Sequence, residues 1–123
     1  MRLGTPDLIR QGRELIASLH VSDKIKRYIV DIVFATRSPR DYGMDNLTPL
    51  IAFGASPRAS IYLTLASKAH AFLKKRAYVM PEDVKAMAPD ILRHRLLLSY
   101  EAEAEEVSIE DVIRKILAGI KVP

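Results

Sequence analysis

The sequence predicts a mainly helical domain, a helical bundle with room for one short two-stranded β-ribbon. Three observations lead there. Apolar residues recur at helical spacing through most of the chain. Capping residues, prolines and acids stand where those stretches begin. Brief apolar runs that could be strands occur at Tyr78-Val79 and Leu96-Tyr100.

Helix one runs from Thr5 to about Leu19, with Thr5 as cap and Pro6 in its first position. Leu8, Ile9, Leu15, Ile16 and Leu19 form its expected apolar stripe. Ser22-Asp23 opens a second helix to about Arg37, with Ile25, Ile29, Ile32 and Val33 at helical spacing and Tyr28 beside them. Residues 38–55 contain Pro39, Gly43, Asp45-Asn46, Pro49 and Gly54 and read as a long connection, of the kind often tied to function. Leu47, Leu50, Ile51 and Phe53 predict that part of it packs down, as in a short helical turn.

The third helix is expected from Ser56 to about Arg76, with Ser56 as N-cap and Pro57 as first residue. At 100° per residue, Ser60, Thr64, Lys68, Ala71 and Lys75 share a polar face, and Arg58, Tyr62, Leu65, Ala69 and Phe72 a face expected to be packed. The alanines of this helix favour close approach by a neighbour. Pro81-Glu82-Asp83 opens a fourth helix to about Met87, weakened because Met80 stands where Ser or Thr would cap it. Pro89-Asp90 is expected to restart a short helix to about His94. Leu96-Tyr100 is a candidate strand beside Tyr78-Val79, and the Glu101–Glu106 run reads as a solvated linker. Ser108-Ile109-Glu110-Asp111 resembles a capping box, starting a last helix that buries Val112, Ile113, Ile116, Leu117 and Ile120.

Composition narrows the class. The chain has 123 residues, 49% of them apolar and 28% charged, which suits one compact domain over residues 1–123. It contains no cysteine, so disulfides and thiolate metal sites are excluded, and a cytoplasmic location is expected. No apolar run approaches the roughly 20 residues that span a bilayer. The net charge of +4 is uneven, with six carboxylates and no base from Glu101 to Asp111. Basic residues gather at Arg37 and Arg40, at Lys74-Lys75-Arg76 and at Arg93-His94-Arg95. The Lys74 cluster lies where cations belong, at a helix C-terminus.

Arg58 is the odd residue. A helix N-terminus carries partial positive charge, so a cation there costs about 0.3–1 kcal/mol. The same end binds anions, and a phosphate visiting the site would justify the guanidinium. The other reading is a surface arginine with a small uncompensated cost. No self-sufficient catalytic constellation accompanies it. His20, His70 and His94 are dispersed, and neither HExxH nor GxxxxGK[ST] is present. His70 reads as structural or surface, and no metal site is expected.

Gly54-Ala55-Ser56-Pro57-Arg58-Ala59-Ser60-Ile61, followed by Ala66-Ser67-Lys68-Ala69-His70-Ala71, resembles the C-terminal lid of MoxR-type AAA+ ATPases. Tyr78-Val79-Met80-Pro81-Glu82-Asp83-Val84 and Ala88-Pro89-Asp90-Ile91-Leu92-Arg93-His94-Arg95 extend the resemblance, as do Tyr100–Glu105, Ile120–Pro123, His20–Asp23 and Tyr28–Val30. Met80 departs from the family's usual cap. The resemblance implies an AAA+ lid without its nucleotide-binding core, and so a chain that is not catalytic alone. Arg58 would be the sensor-2 arginine, acting in catalysis at the γ-phosphate of ATP. Gly54, Ala55, Ser56, Pro57 and Arg58 would be the segment that meets the nucleotide. ATP and Mg²⁺ would belong to the full-length protein, with neither held by the lid alone. The implied partners are the AAA+ core of the same polypeptide, identical subunits in a chaperone-like ring, and proteins with von Willebrand factor A domains. The competing reading from the residues is a small basic DNA-binding module of winged-helix or histone-like type, against which the acidic run stands.

Overall fold

The computed structural model describes residues 6–123. Thr5, the expected first cap, lies outside the described residues, as does the side chain of Leu8. Six α-helices and a two-stranded ribbon are present among the described residues: α1 (Pro6–Ala17), α2 (Asp23–Arg37), β1 (Ile51–Phe53), α3 (Ala59–Leu73), α4 (Pro81–Arg93), β2 (Leu97–Leu98), α5 (Tyr100–Ala104) and α6 (Ile109–Gly119). The mainly helical fold with one ribbon is as the sequence predicts.

α2 is the centre of the core. Ser22 Oγ accepts from Ile25 N–H at 3.3 Å to start it. Ile25, Tyr28, Ile29, Ile32 and Val33 are buried against α3, α4 and α6. The helix ends at Ser38, because the residue before Pro39 is sterically driven out of the helical region. Two 3₁₀ turns come next, Pro39–Tyr42 and Asp45–Leu50, and the second buries Leu47 and Leu50 as expected.

The ribbon corrects one expected pairing. β2 pairs antiparallel with β1, Ile51 opposite Leu98 and Phe53 opposite Leu97, not with Tyr78-Val79. Ser99 decides this: its N–H donates to Leu50 O at 2.9 Å and its Oγ to Pro49 O at 2.6 Å. Tyr78 instead forms a parallel bridge with His20, flanked by bonds from His20 N–H to Ala77 O and from Val79 N–H to His20 O.

Three further expectations change. α4 runs unbroken through Pro89, because Val84, Ala88 and Leu92 form one buried stripe along it. That burial offsets a proline cost of about 3 kcal/mol. The acidic run is a short helix, α5, whose Ala102 N–H is capped by Ser99 Oγ at 3.2 Å and whose Ala102 is buried. α1 leans on α3, yet Ile9 and Leu15 remain exposed, so its stripe is only partly covered.

The remaining helix ends obey local chemistry. Ser108 and Asp111 form the expected capping box, and Val112, Ile113 and Ile116 are buried. Met80 lacks a capping side chain, but its N–H donates to Asp83 Oδ2 at 2.7 Å, restoring half of a box. α3 and α5 end in Schellman motifs with left-handed residues, Lys75 (φ 60°) and Glu106 (φ 56°). The diagnostic bonds run from Arg76 N–H to Ala71 O and from Val107 N–H to Ala102 O.

Candidate functional site

The segment that aims Arg58 is bolted to the end of α2. Gly54 lies so close that an added Cβ would sit 2.3 Å from Thr36 O and 2.7 Å from Arg37 Cα, which only glycine permits. Ala55 is fully buried; its N–H donates to Thr36 Oγ1 at 2.9 Å, and its carbonyl accepts from Arg37 Nη1 at 3.3 Å. Thr36 Oγ1 donates in turn to Val33 O at 2.6 Å, so the hydroxyl uses both its functions. Thr36 and Arg37 are thus part of the site's scaffold. The sequence offers no spacing signal for this, since the partners lie 18 and 19 residues away.

Ser56 caps the turn that carries Arg58. Its Oγ accepts from Arg58 N–H at 3.2 Å and its carbonyl from Ala59 N–H at 2.9 Å, so a 3₁₀-like turn at Pro57-Arg58 leads into α3 at Ala59. α3 therefore begins at Ala59, two residues later than expected, with Arg58 at its N-cap position, and Ser56 caps the preceding turn instead of the helix itself. The Arg58 side chain is exposed, and no hydrogen bond or ion pair engages it among the described residues.

The face on which Arg58 lies differs from expectation. The buried face of α3 is Ala59, Leu63, Ser67 and Ala71. Tyr62, Leu65 and Phe72, expected to pack, are 45%, 48% and 39% exposed, and Ile61 beside them is 59% exposed. Ala71, expected on the polar face, is fully buried. The inward line recurs every four residues and carries one large side chain, Leu63, among the small Ala59, Ser67 and Ala71, which permit close approach by the neighbouring helices. Arg58 thus heads an open apolar stripe.

Tyr62 lies one turn along from Arg58 and is covered by a second arginine. The Arg95 guanidinium sits 4.8 Å from the Tyr62 ring centroid, and Arg95 Nη1 donates to Ile91 O at 2.8 Å. An exposed cation–π contact contributes about 0.5–1 kcal/mol. Two other clustered cations form ion pairs. Arg93 pairs with Glu110 and Asp90, and Arg76 with Asp83 and Glu82. No Asp or Glu occurs from Asn46 to Pro81, so the segment around Arg58 has no acid of its own.

His70 takes a structural place. Its Nδ1 donates to Asp83 Oδ1 at 2.6 Å, while Arg76 Nη2 reaches the same oxygen at 2.8 Å. Burial alone would raise the Asp83 carboxyl, but hydrogen bonds from Arg76, Met80 N–H and His70 outweigh it and hold the group below the usual carboxylate range. This fully satisfied carboxylate ties α3 to the start of α4.

A family model described as the AAA lid domain matches residues 46–116, from the second 3₁₀ turn through most of α6. The chain belongs to the AAA lid domain family. The lid is 44% identical over 121 residues to Chaperone MoxR1 of Mycobacterium tuberculosis, covering 98% of this chain and 32% of that one. It is 39% identical over 117 residues to the protein YeaC of Bacillus subtilis, covering 95% and 33% respectively. A crystal structure of a candidate ATPase from Cytophaga hutchinsonii superposes with a TM-score of 0.91 at 42% identity, over 95% of the lid and 36% of that chain. The lid thus spans about a third of the length of the curated relatives it matches. The resemblance to MoxR-type lids seen in the GASPRAS segment is borne out by these relatives.

Proposed function

We propose that this lid acts as the nucleotide-sensing part of a MoxR-type AAA+ ATPase, with Arg58 as its sensor-2 arginine. The supporting observation is the state of Arg58: an exposed guanidinium, unengaged among the described residues, at the start of a helix whose approach is held rigidly to α2. Gly54, Ala55, Ser56 and Pro57 form the presenting segment that lies near the nucleotide. A γ-phosphate held by a core would supply the missing anion. There the guanidinium would stabilise charge on the transferring phosphoryl group and link hydrolysis to lid position.

ATP and Mg²⁺ enter this reading through the core. In this reading the metal belongs to the core and the phosphates. The exposed apolar stripe below Arg58 is the surface that a covering core would bury. The same reading makes residues 1–123 one lid domain of a longer cytoplasmic polypeptide. Its subunits form a ring, and its partners include proteins with von Willebrand factor A domains. No helix among the described residues is long and apolar enough to cross a membrane.

Replacing Arg58 by Ala in the ATPase that carries this lid tests the reading: nucleotide binding persists and hydrolysis falls sharply. Unchanged turnover contradicts it. The lid alone, titrated with ATP by calorimetry, binds weakly at best and does not turn over. A duplex-DNA reading is disfavoured because α5, with Glu101 and Glu103, directly follows β2 and would repel phosphates.

A further inference from the structure

The Arg95–Tyr62 stack carries an inference that rests on the reading of Arg58 and extends it. An arginine on a solvated surface is ordinarily free to move, and ordering it when an anion binds costs conformational entropy. Arg95 is held already. Its guanidinium lies over the Tyr62 ring at 4.8 Å, and Nη1 is fixed to the Ile91 carbonyl at the end of α4. That bond uses one of the five N–H donors of a guanidinium. No carboxylate pairs with Arg95 among the described residues, whereas Arg93, two positions earlier, is tied to Glu110 and Asp90. Neutralisation within the fold therefore stops short of Arg95, although acids lie close enough in the chain to engage its neighbour. Tyr62 follows Arg58 by four residues, one helical turn along the same face, and Arg95 lies over its half-exposed ring.

We propose that Arg95 is a second nucleotide-binding arginine, held by Tyr62 beside Arg58 to meet the phosphate oxyanions of the same nucleoside triphosphate. Arg58 acts on the phosphoryl group being transferred. Arg95 adds ground-state attraction and so acts chiefly on substrate affinity. Tyr62 is the positioning residue, acting through the guanidinium it holds.

The test is steady-state ATP hydrolysis by the full-length ATPase carrying Arg95→Ala, Tyr62→Leu, Tyr62→Phe or Arg58→Ala, with thermal melting of each variant to check folding. Arg95→Ala is expected to raise KM for ATP about three- to tenfold with kcat changed less than twofold, as loss of uniform binding requires. Tyr62→Leu gives a smaller rise in KM, and Tyr62→Phe, which keeps the ring face, restores the wild-type value. A slowed Arg58→Ala enzyme together with a wild-type KM for Arg95→Ala overturns this inference and leaves the Arg58 reading standing. Wild-type turnover in Arg58→Ala removes that reading and this inference with it. Equal KM in Tyr62→Phe and Tyr62→Leu overturns the positioning role of the ring.

Discussion

Thr36 Oγ1 accepts a 2.9 Å hydrogen bond from the N–H of Ala55 while donating its own proton to Val33 O. The end of α2 thereby holds the turn that presents Arg58. This makes Thr36 a positioning residue, remote in sequence from the arginine it aims. Thr36→Val keeps the shape but leaves the buried Ala55 N–H without its acceptor. The expected loss is about 1–3 kcal/mol of stability, read from chemical unfolding. Thr36→Ser, which retains the hydroxyl, recovers most of it.

Gly54→Ala tests the close approach of the same two segments. The new methyl carbon would lie 2.3 Å from a backbone oxygen, and backbone cannot swing aside as a flexible side chain can. Overpacking of this kind costs roughly 1–3 kcal/mol or more, and it would also displace Ser56-Pro57-Arg58. The expected result is a lowered denaturation midpoint. Gly12→Ala, where an added Cβ meets nothing within 4 Å, is the control.

Lys75→Gly and Glu106→Gly are expected to stabilise the fold. Both residues sit in the left-handed region at Schellman ends, where an L side chain costs about 1–2 kcal/mol. Glycine removes that cost and gives back part of it in unfolded-state entropy, leaving a gain of about 0.5–1 kcal/mol each. Thermal unfolding reads this as raised midpoints, additive in the double variant because the sites lie in separate helix ends.

The Asp83 network makes stability depend on acid. Because its folded carboxyl titrates below its ordinary value of 3.8, the folded state binds fewer protons than the unfolded chain there. The stabilisation is complete above pH 3.8 and is lost as pH falls through the lower folded value. Urea midpoints measured from about pH 2.5 to 7 are expected to fall at the acid end. Asp83→Asn lowers stability at neutral pH and makes the acid fall shallower; an unchanged acid profile in that variant would show the loss to lie elsewhere.

Local signals in the chain were enough for most helices and for the turn bearing Arg58. Ser22 and Ser108 cap where short-range chemistry says they should, Ser56 caps the turn before α3, and the α2 and α6 stripes are buried as their periodicity requires. The misreadings share one cause, tertiary contact. On α3 the buried line is Ala59, Leu63, Ser67 and Ala71, offset from the stripe that hydropathy picks out, while Tyr62 and Leu65 stay open. Pro89 failed to break α4 because the Val84–Ala88–Leu92 stripe was packed on both sides of it. β1 found β2 through Ser99, whose hydroxyl reaches Pro49, 50 residues away, a contact that no local pattern encodes. Arg95 was visible only as part of a basic cluster; its separation from Arg93 appears once the ion pairs are known.

The sensor role of Arg58 is decided by ATP binding and single-turnover hydrolysis in the full-length ATPase with and without Arg58→Ala. Affinity should stay within a few-fold of wild type while the hydrolysis rate drops at least about tenfold, as loss of a transition-state charge contact requires. Wild-type hydrolysis in Arg58→Ala, with the ring and nucleotide binding intact, would refute the role.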